Sequence, residues 1–225
     1  MSISLKDIDN ENTLNIFTDA SIRAVQPSGY IGCYGALCVS NGCIIDQSYV
    51  TIGYTTNNNA EIKAIREGIG LALRYGAGKQ INLFSDSQIC IFGLRERILR
   101  WGLTNGRFIG SMGQDIANQE IFMEIVQMML DHQLQINFLH QAGHVVFTAK
   151  SLKDAAHVFR TSNGIRGIID MNLIRYISNY NNIVDDTSRK QLGRLTACDC
   201  HDPIRFFPHE FDKNLYTNLI KKRYS

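Results

Sequence analysis

The chain has 225 residues, 44% of them hydrophobic and 20% charged, with 18 Gly, 3 Pro and a formal net charge of +2. That is an ordinary globular composition, long enough to bury a sizeable core, and its near-neutral balance neither requires nor excludes a polyanionic partner. No apolar run approaches the roughly 20 residues that cross a bilayer, and the polar start MSISLKDIDNEN is not a signal peptide, so an intracellular, cytoplasmic protein without a membrane partner is expected.

TLNIFTDAS (13–21), IGCYGALCVS (31–40) and CIIDQSYVTIGY (43–54) read as strands. Asn41-Gly42 between the last two is a strong hairpin signal. The chain therefore opens with a three-stranded antiparallel meander. From Ala60 to Tyr75, Ile62, Ile65, Ile69, Ala72 and Leu73 recur at helical spacing, and the glycines of YGAGK end the helix. INLFSDS (81–87) is a fourth strand, expected parallel to the first. Helices follow over 88–101 and 118–133, then a fifth strand over 135–141. Cys33, Cys38, Cys43 and Cys90 sit in apolar text and read as small buried hydrophobes.

Two aspartates stand out, Asp19 in FTDAS and Asp86 in FSDS. Adjacent parallel strands bring them to one edge of the sheet. Glu61, at the start of the intervening helix, can reach the same spot. Each alone reads as a cap or turn residue. Together they crowd like charges that raise one another's pKa, and a divalent cation is the usual compensation. Hard oxygen ligands select magnesium, manganese or calcium.

The words FTDAS, CYGAL, TTNNNAE, SDSQ, QAGH and NNIVDDTSR, in that order, resemble ribonuclease H of type 1. The resemblance implies an α/β ribonuclease H-like fold: a mixed five-stranded sheet, order 3-2-1-4-5, with helices on both faces. It implies an endonuclease that hydrolyses the RNA strand of RNA–DNA hybrids by a two-metal-ion mechanism, leaving 5′-phosphate and 3′-hydroxyl ends. The implied metal ligands are Asp19, Glu61, Asp86 and Asp185. Asp185 is preferred to Asp186 because it stands four residues after Asn181. The implied cofactor is Mg2+, two per site, with Mn2+ as a substitute. Ser21, Asn57, Asn58 and Gln88 are implied hybrid contacts. Thr56 and Asn118 fall near a pocket for a DNA phosphate. Arg95, Arg97, Arg100 and Arg107 occupy the place of a basic substrate handle, with Trp101 packing on sugar or in the core. A monomer is expected, with a separate polymerase or reverse transcriptase left open as a partner.

The chain departs from the family in two places. Gln141 stands where a histidine is expected, so a one-residue shift favours His140 for that role, with His144 the alternative. Between His144 and Asp185 the family has a short loop, whereas this chain has an insertion over 145–182 with helical text in 151–160 and 165–180. Lys150, Lys153, Arg160, Arg166 and Arg175, with Phe147, Phe159 and Tyr176 among them, suit either nucleic acid or a packed elaboration. The expected division is an N-terminal tail over 1–12, the ribonuclease H-like domain over 13–195 and an extension over 196–225. Cys198, Cys200 and His201 in that extension have poor spacing for zinc, and the ending NLIKKRYS reads as a frayed basic tail. Two rival classes share these features: a hybrid- or duplex-RNA-binding module with weak or no turnover, and another DNA-processing nuclease of the same fold.

Overall fold

The computed structural model describes residues 3–25, 29–53, 55–194 and 212–220. A short helix α1 (Leu5–Ile8) leads into the meander β1 (Thr13–Ala24), β2 (Tyr30–Ser40) and β3 (Cys43–Ile52). Asn41 and Gly42 turn the β2–β3 hairpin at φ 50° and 71°, the doubly left-handed geometry that Asn-Gly favours. Helix α2 (Asn57–Tyr75) crosses to β4 (Gln80–Ser85). Next come α3 (Gln88–Phe92), the hairpin β5 (Gly102–Thr104) and β6 (Arg107–Ile109), and α4 (Gln119–Asp131). Strand β7 (Ile136–His140) precedes α5 (Ala149–Ser162), α6 (Met171–Gly193) and α7 (Lys213–Leu219).

The main sheet runs β3-β2-β1-β4-β7, with β1, β4 and β7 parallel. This is the expected order; β7 is the fifth strand of the sheet. Parallel register places Asn15 beside Asn82 and Asn82 beside Asn137. Their buried amides form a ladder, Asn137 Nδ2 to Asn82 Oδ1 at 3.0 Å and Asn82 Nδ2 to Asn15 Oδ1 at 2.9 Å. A one-residue slip would break both bonds inside the core, so the ladder fixes the register of the three strands that carry the site.

One face packs Leu14, Ile16 and Leu83 against α2, α4 and the α3 region. The other stacks Phe17 on Phe84 at 4.8 Å, with Phe84 on Phe159 of α5 and Phe17 on Tyr180 of α6. The expected helix over 88–101 is not continuous: after α3 the chain makes a π turn (Gly93–Arg97) and a 3-10 turn (Ile98–Arg100). At Gly93 a Cβ would stand 2.7 Å from the Phe122 ring, so this stretch is pressed against α4.

Packing decides between the two options for Trp101 and removes one arginine from the basic handle. Trp101 is only 8% exposed, its ring set against Phe108 and Phe122, so it belongs to the core and offers no face to a sugar. Arg95 is buried too, whereas Arg97, Arg100 and Arg107 are exposed. Of the NLIKKRYS tail read as frayed, only Asn218–Ile220 is described, and there Leu219 and Ile220 are buried at the end of α7. Tyr216 of α7 is fully buried and donates from Oη to the Leu94 carbonyl at 3.0 Å. The Cys198, Cys200 and His201 group lies outside the described residues.

Candidate active site

Thr18 pairs with Ser85 across the parallel strands β1 and β4, so Asp19 and Asp86 are the next residue on each. Glu61 arrives from α2. The sequence pattern starts that helix at Ala60, but it begins at Asn57. Thr56 caps it, accepting from the Asn59 amide at 3.2 Å. Asn favours caps over helix interiors, and a capping Thr makes a first turn of three Asn tolerable. Glu61 therefore sits in the second turn, deep enough to be 5% exposed. Ligand oxygens of Asp19, Glu61 and Asp86 lie within 4.8 Å of one another.

Asp19 Oδ1 accepts from the Ala20 amide at 2.7 Å, while Asp19 Oδ2 and Glu61 Oε2 are buried without a partner. Burial first, then the charges of Asp86 and Asp185, push the Asp19 carboxyl well above the usual range. Glu61 is raised likewise by burial and then by Asp19, Asp86 and Asp185. Burial also raises Asp86, and nearby His144 partly offsets this. Buried carboxylate oxygens facing one another without donors fit a hard divalent cation.

Asp185 comes from α6, which does not stop at the expected Tyr180 but runs on through the NNIVDD segment. It is buried, whereas its neighbour Asp186 is exposed. Its Oδ2 accepts from Arg189 Nη2 at 2.8 Å and lies 3.0 Å from His144 Nδ1. A cleft of about 470 Å3 opens here, lined by Ser21, Arg23, Asn57, His144, Asp185 and Arg189 among others. The two candidate histidines are placed differently. His144 is exposed, in a left-handed turn at φ 51°, on the Asp185 carboxylate. His140 is 8% exposed, and its Nε2 lies 3.2 Å from the Asp86 carbonyl. Gln141 is buried and donates to Asn181 Oδ1. Gly143 permits the loop to close on Asp86, since a Cβ there would stand 2.1 Å from Asp86 Oδ2.

Asn57, Asn58 and Gln88 are exposed at the starts of α2 and α3. Asn118, in a left-handed conformation ahead of α4, accepts from Asn59 Nδ2 at 2.9 Å. Thr56 and Asn118 thus meet at Asn59, a residue the sequence reading did not assign. The signal was present as the third Asn of TTNNNAE. Arg189 was missed as well, although it stands one helical turn beyond Asp185.

A parallel β1-β4-β7 core with an acidic cluster at the strand ends defines a ribonuclease H-like hydrolase. The RNase H family model matches residues 11–150, and the chain belongs to that family. A ribonuclease HI of Haemophilus ducreyi is 29% identical over 129 residues, 56% of this chain and 74% of the relative. A ribonuclease H of Thermoanaerobacter sp. is 32% identical over 91 residues, 40% of this chain and 54% of the relative. The chain thus spans about half of the second relative's length and three quarters of the first's. The solution structure of the PFV RNase H domain has a TM-score of 0.50 at 15% identity, covering 76% of this chain and 94% of that domain. The native Prototype Foamy Virus Protease-Reverse Transcriptase has a TM-score of 0.52 at 14% identity, covering 82% of this chain and 21% of that one. Among the described residues no helix is long and apolar enough to cross a membrane.

Proposed function

We propose that this protein is an endoribonuclease that cuts the RNA strand of RNA–DNA hybrids and needs divalent cations, leaving 5′-phosphate and 3′-hydroxyl ends. The observation that carries the reading is the trio of buried Asp19, buried Glu61 and half-buried Asp86, with oxygens within 4.8 Å, the two buried carboxylates each holding an oxygen without a partner among the described residues. On this reading Asp19, Glu61, Asp86 and Asp185 would together hold two ions, magnesium or manganese, which when bound would supply Lewis-acid charge for phosphodiester hydrolysis.

The rest falls to side chains of this chain. Asn57, Asn58 and Gln88 donate to and accept from the 2′-hydroxyls and base edges of a shallow A-form-like groove, which needs no sequence readout. Ser21 lines the same approach. Thr56 and Asn118, joined through Asn59, hold a phosphate of the DNA strand away from the cut. His144, exposed beside Asp185, is the histidine that assists product departure. His140 is shut away behind Asp86 and reaches no substrate atom.

The test is cleavage of labelled hybrid, duplex RNA and duplex DNA, each with magnesium, manganese or chelator. Cutting of the RNA strand of the hybrid with either ion, and with neither under chelator, is the expected result. Hybrid bound but left intact with both ions would instead make the chain a binding module.

A further inference from the structure

In the segment between β7 and α6, residues 151–170 lie beyond the family match, which ends at residue 150. One residue of it reaches the strand that borders the site. Strand β7 is an edge of the sheet, so the outward N–H and C=O of His140 have no strand partner. Asn163, just past the end of α5, supplies both. The His140 N–H donates to Asn163 Oδ1 at 3.0 Å, and Asn163 Nδ2 donates to the His140 carbonyl at 2.7 Å. A single side-chain amide thus pairs with the strand as a neighbouring strand would.

The remaining valences of that amide are also filled. Asn163 Nδ2 donates to the Phe159 carbonyl at 2.8 Å, closing the end of α5. Asn163 Oδ1 accepts from Arg95 Nη1 at 3.0 Å. The Arg95 guanidinium has a side-chain exposure of 4% and lies over the Phe92 ring at 5.3 Å. Two donations and two acceptances saturate the amide, leaving it one orientation. On the far side of His140 the ring continues the line, with Nε2 at 3.2 Å from the Asp86 carbonyl. A carbonyl only accepts, so Nε2 carries the proton. His140 Nδ1 has no partner, so the ring's one polar contact is the peptide of a carboxylate in the trio.

We propose that Asn163, anchored by Arg95, is a positioning residue of the active site: it fixes His140, and through His140 the Asp86 carboxylate, so that the inserted segment completes the metal-binding half of the site. This rests on the proposed function, in that it assigns Asp86 to a divalent ion. Deleting the amide leaves a buried strand end without its partner and takes one bond from Arg95, which keeps the Ser162 carbonyl at 3.3 Å and Glu96 at 3.4 Å, and Asp86 loses its backing. Outer partners of metal ligands commonly cost 10–100-fold in affinity or activity, and a link one residue further out belongs at the lower edge, about three- to tenfold.

The experiment uses the full chain and Mn2+ as probe, with free Mn2+ read by its paramagnetic signal and hybrid cleavage followed alongside. Variants are Asn163→Ala, the isosteric Asn163→Asp, His140→Ala and the two double variants. Asn163→Asp keeps the acceptor for Arg95 and the His140 N–H, replaces the two donations by oxygen–oxygen repulsion and adds a charge that Arg95 can pair, so it keeps the anchor and reports even where Asn163→Ala does not fold. Expected are Mn2+ binding weakened about three- to tenfold, a matching fall in kcat with the KM for hybrid unchanged, and no further loss when either Asn163 change is added to His140→Ala. Wild-type Mn2+ affinity and kcat in Asn163→Asp with only a lower Tm would reduce Asn163 to a structural cap and overturn the proposal. Fully additive losses with His140→Ala would overturn the route through His140. Failure of the wild type itself to bind Mn2+ would be distinct from both, and would bring down the proposed function first.

Discussion

The two halves of the acidic site are built on opposite electrostatic plans. Asp19, Glu61 and Asp86 converge from β1, α2 and the end of β4, the first two buried and Asp86 half-buried, and none of them makes an ion pair among the described residues, although His144 stands near enough to ease Asp86. Asp185 comes from α6 and is already met by Arg189 at 2.8 Å and His144 at 3.0 Å. One half crowds carboxyls that burial and their mutual repulsion push toward the protonated form; the other is ion-paired by the protein itself. On the proposed function, the contrast implies that ion binding is not one event at four equivalent ligands: the trio would act as a preassembled receptor, whereas the fourth carboxylate would share its charge with a guanidinium.

The comparison is broken most severely by neutralising one member of the trio. Asp86→Asn should lower hybrid cleavage by about 10³-fold or more, roughly 4 kcal/mol of barrier, with the fold kept. An amide is a far poorer ligand for a hard cation than a carboxylate. Circular dichroism together with single-turnover cleavage checks both halves of the statement, and wild-type turnover would remove Asp86 from the site.

Stability without metal gives the next effect. The raised carboxyls of Asp19 and Glu61 mean that the folded state holds protons which the unfolded chain releases. This pair's contribution is therefore most favourable below the ordinary carboxylate range. It is lost as pH rises through the raised values. Asp19→Asn removes one of the crowded charges and should stabilise the metal-free protein at neutral pH by about 1–2 kcal/mol, a Tm gain of about 2–8 °C. The gain should shrink on acidification toward pH 4, where wild-type Asp19 is protonated as well. Millimolar magnesium should reverse the order, raising the Tm of wild type but not of the variant. Thermal melts in chelator and in magnesium at two pH values test all three signs.

Arg189→Ala sharpens the other half. A cation touching Asp185 opposes a divalent ion at the same carboxylate; at a separation near 4 Å in a water-like medium the repulsion is about 2 kcal/mol, and salt screening leaves about half of it. Mn2+ titration of the variant should show binding at this half tightened about fivefold, with the trio's own affinity little changed. Weaker binding would mean that Arg189 orients Asp185 rather than competing for it.

Much of this architecture could be read from residue order. Asn41-Gly42, the helical period after Ala60 and the two short acidic strand ends are local signals, and they placed the sheet and three carboxylates. What could not be read is what tertiary packing decides. Trp101 has the text of a handle, yet it is drawn between Phe108 and Phe122. Arg95 sits among exposed arginines in sequence and is buried because the π turn rotates it inward onto Asn163. The helix holding Asp185 was read as ending before it, because Asn179, Asn181 and Asn182 look like a break. Buried Asn181 is instead paired with Gln141, and α6 runs through. Asn163 is marked locally only as a helix end, closing on Phe159 four residues back, while the partners that tie it to the site lie 23 and 68 residues away.

The smallest expected effect tests whether the contrast extends beyond the site into the inserted segment. Helix α5 buries Leu152, Ala155 and Phe159 and leaves Lys150, Lys153 and Arg160 exposed. Of the aromatic residues in that segment, Phe159 is core, Tyr176 packs on Phe17, and only Phe147 is largely exposed. The apolar face is thus accounted for by packing, and the basic face is what remains for a ligand. If it adds phosphate contacts to the cleft, Lys150→Ala with Lys153→Ala should weaken hybrid binding about two- to fivefold at low salt, with the difference closing as salt rises, because each lost phosphate contact reduces the number of counterions released. A solvated helix face predicts the same affinity as wild type at every salt concentration. Fluorescence anisotropy of labelled hybrid at two ionic strengths, under chelator so that nothing is cut, separates them. A shallower salt slope in the double variant assigns the inserted helix to the substrate, and parallel slopes assign it to the scaffold through Asn163 alone.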